Sequence, residues 1–379
     1  MKLLVLYQGR VAERDQPGYH EGFCRLVSEG ILEAHAAIPF VGVAEEQGWA
    51  GVWQEAYNVV QAGGVDAVFL QFFHARMPDP TPAIERLLAL PSKPTVFTSL
   101  GDPYGRWTNR VPGEFRAASR LSEVTFLTGM GYLAEQLVGG GTKNAVLMPH
   151  GCCQVRFTGA LQRDLYKPEF DVAFIGSRMT APNPFGHFVR AGRRRDQFVR
   201  AMTKRYGRRF GLFGGGWDGN PSWQGRVPYV EQQDAMRRAK VVMGGLPNAY
   251  YDYYTSDREF IALASGVPFV DYRERGLSQL FRDGSEWWLS GDIDGMMARA
   301  DGLLALPERE RVEKAAETRE RVLREHTQYH RCREMIRIVK EVRRARLTGQ
   351  RARAPKLSFL LDASPLLEPA PPAILGWEG

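Results

Sequence analysis

Several features that would place this chain quickly are scarce or missing. It holds only four cysteines, Cys24, Cys152, Cys153 and Cys332, in 379 residues. No pair has C-x-x-C spacing, which argues against a zinc ribbon and against a dithiol redox motif. Neighbours such as Cys152 and Cys153 rarely bond to each other, so reduced thiols and a cytoplasmic location are expected. No run approaches the ~18 apolar residues of a membrane span. The opening M-K-L-L-V-L-Y-Q-G is too short an apolar run for a secretory leader. No glycine turn is followed by lysine and a helix in the P-loop pattern, so ATP hydrolysis is not indicated. No nucleic-acid motif is recognised either, although the net charge is +7. Arginines at 193–195, 208–209, 237–238 and 343–346 fall on separate elements. Those near Arg195 are candidates to reach a diphosphate; the rest read as solvated faces or as a patch for an anionic surface, peripheral membrane contact included.

What is present is a regular alternation of strands and helices. Leu3–Tyr7 is continuously apolar, as in a strand buried on both faces. Further strands are expected at 38–43, 65–73, 95–99, 124–127 and 145–148, with helices between them. Residues 8–19 hold Gly9, Pro17 and Gly18 and read as a loop. The alternation pauses over 149–169 and restarts with strands at 171–175, 210–213, 241–243, 269–271 and 287–290. Strands alternating with helices at short spacing imply parallel sheets with right-handed crossovers. The fold class is therefore α/β, with two doubly wound units. Residues 1–150 form the first and 151–169 the linker. Residues 170–328 form the second, and 329–379 a closing helix and a Pro/Arg-rich tail that packs back on the first. Ligands of open α/β sheets sit beyond the carboxyl ends of the strands, so a cleft between two such units is expected.

The second unit is organised around S-D-R-E-F-I-A-L-A-S-G-V-P-F-V-D, Ser256–Asp271. Ser256 and Glu259 fit a capping box, and Gly266 stops the helix that opens at Asp257. Arg258 in a first turn is unfavourable to the helix dipole unless an anion, or a carboxylate such as Asp252, Asp257 or Asp271, is beside it. Gly176-Ser177-Arg178 follows a strand, as does Gly214-Gly215-Gly216-Trp217. Such turns let backbone approach a phosphate, a ribose or a base, or are plain turns. In the first unit His20, His74 and Asp102 follow strands or loops facing the expected cleft. An imidazole or carboxylate there orients a hydroxyl or takes its proton, or simply caps a loop. Tyr104 and Trp107 stack on an acceptor or pack. Asp292-Ile293-Asp294 imitates a D-x-D metal motif but stands before a helix, where aspartate is a cap. His326 and His330 lack the acidic partner of an H-E-x-x-H site and read as packing.

The Ser256–Asp271 stretch resembles the S-x-R-x-F-E-x-L-A-x-G-x-P block of spore-maturation (CgeB-like) glycosyltransferases, cousins of glycosyltransferase family 4. The resemblance extends to Gly276-Leu277 with Leu280-Phe281, to Asp283-Gly284-x-Glu286, and to His326-Thr327-x-x-His330-Arg331. Weaker matches are Phe170–Ser177, Phe213-Gly214, and Gly225 with Val227, Tyr229 and Val230. It implies a GT-B architecture, two Rossmann-like domains facing a cleft. It implies a donor site for a nucleotide-diphosphate sugar at Gly176, Ser177, Arg178, Gly214, Gly215, Tyr229, Ser256, Asp257 and Arg258. Acceptor contacts fall to His20, Tyr104 and Trp107, and catalytic roles to Asp102, His74 and Arg258. Neither a metal nor a cofactor is expected, and transfer is expected with retention to a natural product or cell-surface glycan. The family's two glutamates fall on Tyr253 and Ile261, which leaves Asp257 as the nearer carboxylate. It also leaves open a non-catalytic shell used for binding or assembly.

Overall fold

The computed structural model describes residues 1–71, 77–102, 104, 110–159, 167–179, 187–245, 251–361 and 370–377, without the side chains of 187–190. His74 and Trp107 lie outside the described residues.

The first unit alternates β1 (Lys2–Tyr7), α1 (Ala12–Asp15), α2 (Pro17–Ser28), β2 (Ala34–Pro39), α3 (Phe40–Gly63), β3 (Ala67–Leu70), α4 (Thr81–Leu88), β4 (Thr95–Leu100), α5 (Gly113–Leu121), β5 (Val124–Leu127), α6 (Tyr132–Gly139) and β6 (Ala145–Leu147). The second continues with β7 (Phe170–Ile175), α7 (His187–Tyr206), β8 (Phe210–Phe213), α8 (Gln232–Arg237), β9 (Ala239–Met243), α9 (Asp257–Leu263), β10 (Phe269–Tyr272), β11 (Trp288–Ser290) and α10 (Ile293–Ala305). The chain closes with α11 (Glu308–Glu325), α12 (Gln328–Thr348) and β12 (Ile374–Leu375).

Among the described residues the sheets run β12-β6-β5-β4-β3-β1-β2 and β11-β10-β9-β7-β8. Every pairing is parallel except that of β12 with β6. Helices cover both faces, so the central strands are buried: Leu3 to Tyr7 and all of β3, β4 and β5 are buried. In each sheet the strand order reverses once, between β1 and β3 and between β7 and β9. Those reversals open crevices at the carboxyl ends of the strands, where ligands of doubly wound sheets bind.

Two expectations about local structure are corrected. Strand β2 ends at Pro39, and Phe40 already opens α3, so the apolar run 38–43 spans a strand end and a helix start. The polar stretch 8–19 holds α1 and the beginning of α2. Pro17 stands at the first position of α2, where its missing N–H is not needed and its fixed φ suits the helix. Proline there opens a helix instead of marking a loop.

One apolar core runs from the first sheet through α9 and α12, and a second lies on the other face of the second sheet. Helix α12 returns to the first unit. Tyr329 donates to Glu29 at 2.7 Å, and Arg343 pairs with Asp66 at 2.7 Å. The tail adds β12 to the free edge of β6, and Tyr253 donates to the Pro371 carbonyl at 2.9 Å.

His326 and His330 join this packing. His326 is sealed between Phe260 and Phe281, the latter 4.4 Å away between ring centres. His330 completes a capping box with Thr327 at the start of α12. Burial, then neighbouring arginines, hold His326 well below its ordinary pKa and His330 at about 4. Both are neutral in the fold and take a proton when unfolded below pH ~6.5. The unfolded state then binds more protons, so stability falls as pH drops from ~6.5 toward 4. Buried Asp271 is shifted upward by burial and Glu259 and works in the opposite sense, gaining stability on acidification. The histidine effect is therefore read as a difference: between pH 7 and 5 the parent is expected to lose about 1 kcal/mol or more relative to a His330→Gln variant in paired denaturant melts. An equal pH response in parent and variant would contradict this packing.

Candidate functional site

The site is built first from two hydrogen-bonded turns. The turn after β7 donates from Gly176 N to Phe213 O at 2.9 Å, and from Arg178 N to Gly215 O at 2.8 Å. Gly215 N reaches Ser177 Oγ at 3.3 Å. Two tryptophans clasp the pair: Trp217 donates to Gly176 O and Trp223 to Gly214 O, each at 2.7 Å. At Gly214, φ is +126° and an added Cβ would lie 2.5 Å from the Gly176 carbonyl oxygen, so only glycine fits. Gly176, Ser177, Gly214 and Gly215 are thus one feature.

Arginines gather beside it, at the β7/β9 reversal. Arg195 of α7 is buried, donating to Ser177 O at 2.6 Å and to Gly245 O at 3.4 Å, which ties together the loops after β7 and β9. Burial, with Arg258 beside it, pulls its pKa down to about 10. It is still charged at neutral pH, held against a second positive charge. The Nε of Arg258 is buried and, among the described residues, has no hydrogen-bond partner. Both guanidinium groups border the same crevice with Glu259, Gly244 and Gly245. Two cations and one carboxylate, Glu259, thus share the crevice, leaving a net positive charge that suits an anion.

The sequence-predicted donor residues are placed as follows. Arg178 is engaged by Asp196, at 3.1 Å, while Arg195 donates to the turn itself at Ser177 O. Ser256 and Glu259 form the expected capping box: Ser256 Oγ accepts from Arg258 N, and Glu259 accepts from Ser256 N at 2.6 Å. The side chains of Ser256 and Glu259 thus satisfy amide groups at the amino end of this seven-residue helix. Arg258 makes no ion pair with Asp252, which pairs with Arg275 at 3.3 Å. Tyr229 lies beside Asp257, and its hydroxyl is pushed upward by burial and by that carboxylate.

Tyr253 and Ile261 are both buried in the core. Tyr253 has the left-handed φ of +62° and spends its hydroxyl on Pro371 O. Neither side chain offers polar atoms to the cleft. Asp292 accepts from Gly295 N at 2.7 Å and is a helix cap, as its position suggests.

Between the sheets lies a cavity of about 290 Å³. From the first unit Asp102, Tyr104, Tyr19 and His150 line it, and from the second Tyr229 and Asp257. Asp102 follows β4, beside Gly101, whose carbonyl lies 3.1 Å from His150 Nε2. Tyr104 is tied to the second unit by Tyr251, whose hydroxyl donates to its carbonyl. His20 is not in this wall. It turns to Glu13, 3.3 Å away, and to Cys24 and His35, so its expected acceptor contact is corrected. Being next to Tyr19 on a helix, it points to another face.

Sequence reasoning missed His150, Arg156 and Gln328, which also line the cavity, and gave Arg195 only a passing place. His150 follows a strand in M-P-H-G, the same signal that singled out Asp102.

Placed on this geometry, comparisons with solved structures decide the architecture. An α-glucosyltransferase in complex with UDP-glucose and DNA containing an abasic site superposes with a TM-score of 0.59, over 90% of this chain and 99% of that one, at 13% identity. Sucrose-phosphate synthase from Thermosynechococcus elongatus gives 0.57 over 91% and 100%, also at 13% identity. The fold is GT-B. HepE from Anabaena in complex with UDP matches this GT-B frame over 90% of the chain and all of its own, with a TM-score of 0.53 and 10% identity. Residues 193–337 also match the model of a family described as "Glycosyl transferase-like". That match spans Arg195, Tyr229, Asp257 and Arg258 in the second half of the GT-B shell. No curated protein matches the chain significantly. Among the described residues no helix is long and apolar enough to cross a membrane.

Proposed function

We propose that the chain is a glycosyltransferase that moves a sugar from a nucleotide-diphosphate sugar to a hydroxyl acceptor. The observation that carries this reading is the facing pair Arg195 and Arg258 beside the joined glycine turns. Two cations confined in one crevice destabilise the empty site and are relieved by a pyrophosphate. As the glycosidic bond breaks, negative charge grows on the departing diphosphate. Fixed guanidinium groups favour that charge in a partly dry site, so no metal is required. Tyr229 and Asp257 border the space between donor and acceptor and orient the sugar. Asp102 faces the same space from the other sheet and takes or orients the acceptor's proton. Retention and membership of the CgeB-like group rest on the motif resemblance. His74 and Trp107 keep the catalytic and acceptor roles that the resemblance implies.

Asp102→Asn is expected to lower kcat by about 100-fold or more while donor KM changes less than about threefold, since a general base acts on the transition state and not on donor binding. Steady-state kinetics with the donor varied at saturating acceptor checks this split.

The second reading, a non-catalytic binding shell, is favoured by the burial of Tyr253 and Ile261 where the resembled family has glutamates. A panel of nucleotide sugars with candidate acceptors separates the two. Nucleoside diphosphate released faster with acceptor than without it supports transfer. Tight binding with no release under any pairing supports the shell.

A further inference from the structure

Away from the cleft, three side chains with metal-ligand chemistry meet at one point. His20 and Cys24 stand four apart on α2, on one face of the helix. His35 arrives from β2. Cys24 Sγ lies 3.9 Å from His20 Nδ1 and 3.8 Å from His35 Nδ1. The three ligand atoms lie within 4.8 Å of one another. Tetrahedral bonds of ~2.3 Å to sulfur and ~2.0 Å to nitrogen put S and N about 3.5 Å apart, so each sulfur–nitrogen gap needs to close by only a few tenths of an ångström, and the two nitrogens swing together by ring rotation.

The far side of each ring is occupied. His20 Nε2 lies 3.3 Å from the Glu13 carboxylate, and His35 Nε2 lies 3.0 Å from the buried Tyr7 hydroxyl. A carboxylate can only accept, so the His20 proton belongs on Nε2 and its Nδ1 lone pair faces the sulfur. In the tautomer in which the Tyr7 oxygen accepts from Nε2–H, the His35 Nδ1 lone pair faces the same sulfur. One thiol proton cannot serve two lone pairs. A cation in place of that proton, bound to the thiolate and both nitrogens, serves all three. Ligating histidines are held in this manner, the far N–H given to a carboxylate or another oxygen.

We propose that His20 Nδ1, Cys24 Sγ and His35 Nδ1 form a three-ligand site for a thiophilic divalent cation, zinc by its donor set, with the fourth position left to water on the exposed side of Cys24. On binding, the thiol proton leaves to solvent and no redox change occurs. The ion joins α2 to the β1–β2 edge. The other face of α2 carries Tyr19 and Pro17 into the cleft cavity, so the ion fixes one acceptor-side wall without touching the reacting atoms. The site escapes a search for paired cysteines because its third ligand sits eleven residues on, in another element.

The test is a titration of the chelator-treated, reduced full chain with Co²⁺. One equivalent is expected to bring up tetrahedral visible bands and a near-ultraviolet thiolate-to-cobalt band, both bleached by one equivalent of Zn²⁺. Cys24→Ser should remove the near-ultraviolet band with an unchanged circular dichroism melt, because Cys24 is exposed. His20→Gln and His35→Gln should each weaken Zn²⁺ binding by about 10-fold or more. No thiolate band at stoichiometric cobalt, or a band that survives Cys24→Ser, would overturn the proposal.

Discussion

Arg258→Ala is expected to weaken nucleoside-diphosphate binding by about 30- to 150-fold, the ~2–3 kcal/mol of a charge-assisted hydrogen bond in a partly buried site. The unliganded variant should be as stable as the parent, or slightly more so. The reason is electrostatic. Arg258 has a buried Nε with no partner among the described residues, and its charge opposes that of buried Arg195. Removing it relieves repulsion in the empty protein and removes attraction in the complex. The two readouts therefore move in different directions, which a residue that merely supports the fold would not allow. Isothermal calorimetry with uridine, guanosine, thymidine and adenosine diphosphates, beside a denaturant melt of both proteins, checks it. Lost stability together with unchanged affinity would remove Arg258 from the donor site.

The second large effect is expected at Arg331, whose guanidinium is fully enclosed. It donates to Pro149 O at 3.0 Å, to His150 O at 3.3 Å and to His326 Nδ1 at 2.9 Å. It also lies over the Phe359 ring, 4.7 Å from its centre. Burial draws its pKa down to about 10, so the charge is kept at a cost and is held by dipoles. Arg331→Met keeps much of the volume but strands these acceptors in the core. A loss of roughly 3 kcal/mol in a denaturant melt is expected. Arg331 also holds the backbone at His150, a wall of the cleft cavity. Turnover of the folded variant should therefore fall through acceptor KM and kcat, while donor affinity stays within about threefold. A fall in donor affinity matching that of Arg258→Ala would show that Arg331 acts elsewhere.

Much of the architecture is legible in the chain because buried parallel strands are continuous apolar runs. Leu3–Tyr7, 124–127 and 210–213 are short, bounded by breakers, and leave no helical alternative. The reading loses ground where burial is one-sided. Strand β2, A-H-A-A-I-P, lies at an edge with most of its residues partly exposed, so its apolar signal is weak and shifts toward Ile38–Val43. Within the site, positions fixed by local backbone chemistry are visible: the cap at Ser256 and Glu259, and the glycine turns. Positions fixed by tertiary approach are not. Arg195 lies in a run of three arginines, and nothing local shows which of them turns inward to Ser177 and Gly245. His20 is the converse case. Its neighbour Tyr19 faces the cleft, and one step along a helix turns a side chain by ~100°.

The most direct measurement is a crystal structure of the chain with a bound nucleoside diphosphate. The account places the pyrophosphate within hydrogen-bond distance of the Arg195 or Arg258 guanidinium, against the turns at Gly176 and Gly215. A diphosphate ordered anywhere else, with that crevice still closed over the two arginines, would contradict it.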